Sequence, residues 1–201
     1  MLRTQQEKEK QSGFQRAILY AETRKERNSS CVKSSENKKN LPFLNSPEVI
    51  KTLDKWGFFS APASTKYHGN YEGGLFDHSY AVMRALIDLT EKNGLIWERK
   101  GSPLIIGMLH DLCKCDNYIT YGSDGYEYNT DTLLKGHGDK SVMRCASLLK
   151  LTEEEVVCIR YHMGAFTGKE EWQDYTRAIH SYPNVLWTHH ADMTAAHIRR
   201  I

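Results

Sequence analysis

Leu104-Ile105-Ile106-Gly107-Met108-Leu109-His110-Asp111-Leu112-Cys113-Lys114 is the stretch on which the reading of this chain turns. Its apolar residues fill every face, as in a helix buried all round. A histidine and a carboxylate interrupt it side by side. Burying such groups unpaired costs on the order of several kcal/mol, and a metal ion is a partner that satisfies both.

Outward from this stretch the sequence reads as helices joined by short connections. Ser46-Pro47 carries the N-cap and first-turn residues of a helix that ends at Gly57. Residues 61–74 read as a loop. A long helix is predicted from Leu75 to Lys92, stopped by Asn93-Gly94. Ser102-Pro103 opens the helix that carries His110-Asp111. Residues 116–131 hold four tyrosines and form an aromatic loop or short hairpin. Helices are expected over 138–150, from the capping box Thr152-x-x-Glu155 to Met163, over 170–179, and from Pro183 toward Arg200. The fold class is therefore all-α: a bundle of about six to eight helices over 41–201. Residues 1–40 form a polar, basic extension and linker with a short amphipathic helix near 12–27.

Composition narrows the function. No apolar run is long enough to cross a bilayer, and residues 1–8 lack the apolar core of a signal peptide, so a cytoplasmic protein with no membrane partner is expected. Five cysteines without a CxxC pair read as reduced, buried thiols. Cys113 and Cys115 follow the His-Asp pair closely, but hard-ligand sites avoid soft sulfur. The net charge is +2, and the positive excess lies in residues 1–40, with ten Lys/Arg against five Asp/Glu. That is a solvated tail rather than a nucleic-acid-binding domain.

The remaining histidines give the pair its company. His78 lies at the start of the long helix, His137 just ahead of another, His162 at a helix C-terminus, and Asp192 inside the last helix. Each gap, from 25 to 32 residues, is about one helix plus its connection, so successive helices can each offer one ligand to a shared centre. Four imidazoles and two carboxylates suit Mn, Fe, Co, Ni or Zn better than Ca. Six ligands exceed what one open catalytic ion takes, and suffice for two ions bridged by Asp111. Two such ions, about 3.5–4 Å apart, would clamp a phosphoryl oxygen and acidify a bridging water. His68, His180 and His197 read as caps or solvated residues. Of His189 and His190, one could support the metal held by Asp192 or be a ligand in the place of Asp192.

The order His78, His110-Asp111, His137, His162, Asp192 resembles the signature of the HD superfamily of metal-dependent phosphohydrolases, in its binuclear branch. Glu72-Gly73-Gly74-Leu75-Phe76-Asp77-His78-Ser79 is similar to the GGLxEH phrase of bacterial HD proteins related to exoribonucleases and phosphodiesterases. Gly136-His137-Gly138-Asp139-Lys140-Ser141 is similar to their GHGExS phrase. The GYP element of the cyclic-dinucleotide enzymes is absent, which counts against that activity.

The resemblance implies an enzyme that cleaves phosphate esters with a metal-activated hydroxide, and a catalytic role for Asp111. Lys114 matches the lysine of HDxxK, which implies that it assists catalysis and holds a substrate phosphate. Arg160 could reach a phosphate or pair with a surface carboxylate. Tyr118, with Tyr121, Tyr126, Tyr128, Trp172 and Tyr175, could stack a base or pack a loop. The expected substrate is a nucleotide or short oligonucleotide. The alternatives are a small-nucleotide phosphomonoesterase and a non-catalytic regulatory module that binds a nucleotide.

Overall fold

The computed structural model describes residues 46–122 and 125–201. The extension and linker expected over 1–40, with the helix near 12–27, lie outside them. Among the described residues there are seven α-helices and one two-stranded hairpin, so the fold is all-α as expected. The helices are α1 (Pro47–Trp56), α2 (Gly74–Asn93), α3 (Ser102–Leu109), α4 (His137–Leu148), α5 (Glu153–Arg160), α6 (Trp172–Ser181) and α7 (Asn184–Met193). The hairpin joins β1 (Tyr118–Tyr121) and β2 (Gly125–Tyr128), with Tyr118 opposite Tyr128. It settles the choice between loop and hairpin. No described helix is long and apolar enough to cross a membrane.

Local chemistry sets the ends. Gly57 closes α1 with φ +88°, its N–H on the Asp54 carbonyl and that of Phe58 on the Leu53 carbonyl. Ser46 precedes α1 as expected, but its hydroxyl donates to the Glu48 carboxylate (2.7 Å) instead of capping a backbone N–H. Thr152 and Glu155 form the capping box of α5 in both directions.

Three ends depart from expectation. The helix carrying the His-Asp pair stops at Leu109, with a 3-10 turn over Leu112–Asp116. The tighter turn brings side chains three apart into line, and so sets Lys114 on Asp111. His110 and Lys114 therefore do not lie on one continuous α-helix. α5 ends at Arg160 rather than Met163, and Gly164 then turns left-handed against the His189 ring. Beyond Met193 the last helix widens into a π-helical turn over Thr194–Arg199.

α3 is buried along its whole length and lies in the centre of the bundle. It crosses α2 at Gly107, where an added Cβ would stand 2.3 Å from the Met83 Cα. Leu86, Ile106, Leu109, Leu112 and Ile159 fill the core around this crossing.

A buried polar cluster fixes the far ends of three helices. Glu155 accepts from Ser102 Oγ (2.8 Å) and Arg99 Nε (2.9 Å), tying the start of α3 to the start of α5. Glu154 accepts from Asn184 Nδ2 (2.7 Å) and the Glu98 N–H (2.8 Å), tying the start of α7 to the same place. His110, His162 and Asp192 each stand eight positions after Ser102, Glu154 and Asn184. At the α-helical rise of about 1.5 Å per residue, three co-anchored helices deliver those side chains to one level, roughly 12 Å away.

The α2–α3 crossing gives a test. Gly107→Ala gains about 1 kcal/mol of helix propensity but must push two backbones apart, which costs about 1–3 kcal/mol or more in a packed core. Urea unfolding should show net destabilisation; an unchanged or raised midpoint would contradict this packing.

Candidate metal centre

Three imidazoles are seated through Nδ1 on main-chain oxygens. His110 donates to the Gly107 carbonyl (3.0 Å) and His162 to the Ile159 carbonyl (2.7 Å), each three residues back. Both histidines lie at or just beyond a helix C-terminus, where such carbonyls lack helical partners. His78, near the start of α2, has no such carbonyl beside it. Its Nδ1 reaches Ile201 O (2.9 Å), which the π-helical turn and a left-handed Arg200 bring back across the bundle. With Nδ1 carrying the proton, each Nε2 keeps a free lone pair, the form that binds a metal.

These nitrogens converge on two carboxylates. Asp111 Oδ1 is 2.9 Å from His137 Nε2 and 3.5 Å from His162 Nε2. Its Oδ2 is 3.4 Å from His110 Nε2 and 3.6 Å from His78 Nε2. Asp192 Oδ1 is 3.0 Å from His78 Nε2 and 3.9 Å from His110 Nε2. All six residues expected at the centre are therefore brought together. His78 Nε2, His110 Nε2 and Asp111 Oδ1 are buried with no hydrogen-bond partner. Lone pairs facing one another inside a protein need a proton or a cation between them. The groups His78–His110–Asp192, His110–Asp111–His162 and Asp111–Cys113–His137 are each compact enough to hold a metal ion.

Glycine permits the closest approach. A Cβ on Gly138 would stand 2.0 Å from the Arg160 carbonyl oxygen. The first turn of α4 can thus lie against the last turn of α5, with the His137 and His162 Nε2 atoms 3.1 Å apart.

The electrostatics follow from burial and neighbours. Burial alone would raise the Asp111 carboxyl, but Lys114 and His110 outweigh it and hold it well below the usual carboxylate range. Burial likewise opposes ionisation of Asp192, and His78 and His110 reverse that. Lys114 donates to Asp111 Oδ2 at 2.8 Å. Burial opposes its charge, and the Asp111 carboxylate more than restores it. Burial pushes the Cys113 thiol up to about 12, with Asp111 adding to the shift.

The neighbours expected to touch substrate are placed unequally. Lys114 is nearly buried, not a surface lysine, and sits on the centre itself. Tyr118 is half-buried in β1, edge-on to Tyr128, and burial raises its phenol to about 12. Arg160 takes the second of its two readings: its guanidinium pairs with Asp139 and Glu171 and lies over the Tyr161 ring. Ser141 accepts from the Cys113 N–H (3.1 Å), holding the 3-10 turn against α4. His189 donates through Nδ1 to the His162 carbonyl (2.9 Å) and so braces the α5 end. His180 and His190 are exposed.

Two participants carry no sequence signal of their role. One is Ile201, which acts through its main-chain oxygen. The other is His68, read as a cap or solvated residue. It is instead half-buried with its ring 4.7 Å from that of His78 and with a buried, unpartnered Nε2. Its place beside His78, in the folded loop before α2, is a tertiary fact that the local sequence does not announce.

No family model, curated protein or solved structure matches this chain.

Burial and the nearby His78 and Lys114 lower His68 to about 4, against an ordinary value of 6.5. The folded state then binds fewer protons than the unfolded chain between those values, so stability falls as pH drops through that window. The depressed carboxyls of Asp111 and Asp192 have the same sign but act lower, below about pH 4. Chelator-treated protein should lose unfolding free energy from pH 6.5 to 4, and His68→Gln should flatten that slope. A slope identical in both proteins would contradict the placement of His68.

Proposed function

We propose that this chain is an HD-superfamily phosphohydrolase that cleaves a phosphate ester of a nucleotide or short oligonucleotide. The observation that carries this reading is the closure of His78, His110, Asp111, His137, His162 and Asp192 into one buried cluster with unpartnered lone pairs facing inward. Four histidines and two carboxylates, with no thiolate required, fit Mn, Fe, Co, Ni or Zn. His78, His110 and Asp192 would hold one ion, and His137 and His162 a second, with one Asp111 oxygen directed to each. Bound there, divalent ions supply Lewis acidity toward a phosphoryl oxygen and a water acidified to near-neutral pKa.

The chain's own groups do the rest. The carbonyl seats of His78, His110 and His162 hold their Nε2 atoms in place before any ion arrives, which limits reorganisation on binding. Lys114 keeps its charge beside Asp111 and is the cation nearest the centre for a substrate phosphate. Tyr118, on the hairpin that follows the 3-10 turn, offers a ring face for a base. Four buried, unpaired thiols fit a reducing, cytoplasmic setting.

Metal analysis coupled to a panel of phosphate substrates tests this reading. The panel is bis-p-nitrophenyl phosphate, nucleoside mono- and triphosphates, cyclic dinucleotides and short RNA. About two ions per chain are expected, with turnover of a diester or nucleotide that falls to background in Asp111→Asn and His110→Ala. Turnover confined to nucleoside monophosphates would narrow the activity to a phosphomonoesterase. Fewer than about one ion per chain, with no turnover after Mn or Ni is added, would sink the proposal.

A further inference from the structure

We propose that Lys140 is a positioning residue of the substrate site: it fastens the β1–β2 hairpin to α4 and so holds Tyr118 beside the metal centre. The inference rests on the nucleotide reading above, in which Tyr118 meets the base, and extends it to a residue that touches neither ion nor substrate.

Lys140 keeps 2% of its surface exposed. Lysines are seldom buried so far unless they are paired, and an ammonium there must find acceptors for three N–H groups. Lys140 finds them in three residues. Nζ donates to Asn117 Oδ1 (2.8 Å) and to Thr132 Oγ1 (2.9 Å), and it pairs with Asp116 Oδ1 (2.5 Å). Asp116 ends the 3-10 turn, and Asn117 is the residue before β1. Thr132 lies in the connection after β2. One side chain therefore holds both feet of the hairpin.

The hairpin needs that hold. Two strands alone are at best marginally stable in water, and this pair leaves Ile119 and Tyr128 exposed. Asn129 closes the neck: its N–H donates to the Asn117 carbonyl and its Nδ2 to the Asp116 carbonyl, both at 2.9 Å. Asn129 belongs to the neck itself, so it does not fix the hairpin to the bundle. Lys140 does, from α4, three residues after His137. Arg144, a helical turn further on, adds an ion pair to Asp116 Oδ2 (2.7 Å) and lies over the Trp56 ring. It braces the β1 side, while Lys140 spans both.

Tyr118 is the side chain that this arrangement places. It opens β1 directly after Asn117 and stands edge-on to Tyr128. Its phenol is near enough to Lys114 and Asp111 for both charges to bear on it. Of the six residues of the centre, His137 is the most open to solvent, and it shares a helix with Lys140. A phosphate held at the ions leaves its base little freedom, so a stacking ring serves only if it stays in place.

Calorimetry on the cobalt-loaded full chain, with inorganic phosphate and adenosine 5′-monophosphate as probes, decides the matter. Tyr118→Ala should weaken the nucleotide relative to phosphate by about 10-fold, within the usual range for one base–aromatic stack. Lys140→Met keeps most of the buried volume and removes the charge, a kind of change that folds often tolerate. It should weaken the nucleotide relative to phosphate by a comparable factor, with cobalt affinity unchanged. Added to Tyr118→Ala it should cost nothing more, because both act through one ring. Thr132→Val frees the β2 foot and remains informative if Lys140→Met does not fold. Unchanged discrimination between nucleotide and phosphate in either folded variant overturns the inference. So does full additivity with Tyr118→Ala, and so does a loss of cobalt affinity, which would make Lys140 a support of the centre instead. Wild-type protein that takes up no cobalt, or that binds the nucleotide no more tightly than phosphate, fails at the proposed function. The wild type alone shows that failure, so it is distinct from failure at Lys140.

Discussion

A carboxylate with 1% of its surface exposed lies in the middle of this bundle, and the architecture answers it. An unpaired buried charge is among the costliest features a fold can carry. The Lys114 ammonium meets one oxygen of Asp111, while histidine nitrogens face both oxygens and leave a place that a cation would fill. The 3-10 turn that follows Asp111 places Lys114, three residues on, against Asp111 Oδ2. Apolar residues of α2 and α3 form the core beside the charge. The surroundings that make the charge expensive also make its interactions strong.

A second buried polar cluster works at the opposite end. Glu154 and Glu155 gather the starts of α3, α5 and α7 through Ser102, Arg99 and Asn184. A buried charged cluster is weak evidence of stability in itself. Here its role is positional. Apolar contacts between helices tolerate sliding, whereas hydrogen bonds to one pair of carboxylates do not. The register of three helices is set at one end and used at the other.

Much of this was legible in the chain. Gly57 and Gly94 stop helices and the Thr152–Glu155 box starts one at the places read for them, and the two Ser-Pro pairs mark helix starts although neither serine caps a backbone N–H. The six clustering residues were legible because histidine and aspartate at apolar positions, one per helix, are costly unless they meet. The missing parts obey other physics. The 3-10 and π-helical turns are departures from α-helical hydrogen bonding that hydrophobic periodicity does not report. Ile201 contributes only a main-chain oxygen, which every residue possesses. His68 lies in a loop whose path depends on Gly69 and Gly74 meeting backbone to backbone. Arg160 reads either way in the sequence because its carboxylate partners, Asp139 and Glu171, come from separate segments.

The shared eight-residue spacing limits how the chain can change in length. One residue inserted in α3, α5 or α7 would turn its terminal side chain by about 100° and lift it about 1.5 Å. The three spans 102–110, 154–162 and 184–192 are therefore intolerant of insertion and deletion, each separately and for a geometric reason. The connections at 129–136 and 164–171 lie outside those spans, whereas 94–101 carries Glu98 and Arg99 of the anchor itself. Sequence drift in relatives of this chain should then be uneven in kind: substitutions throughout, but gaps admitted only between the measured lengths.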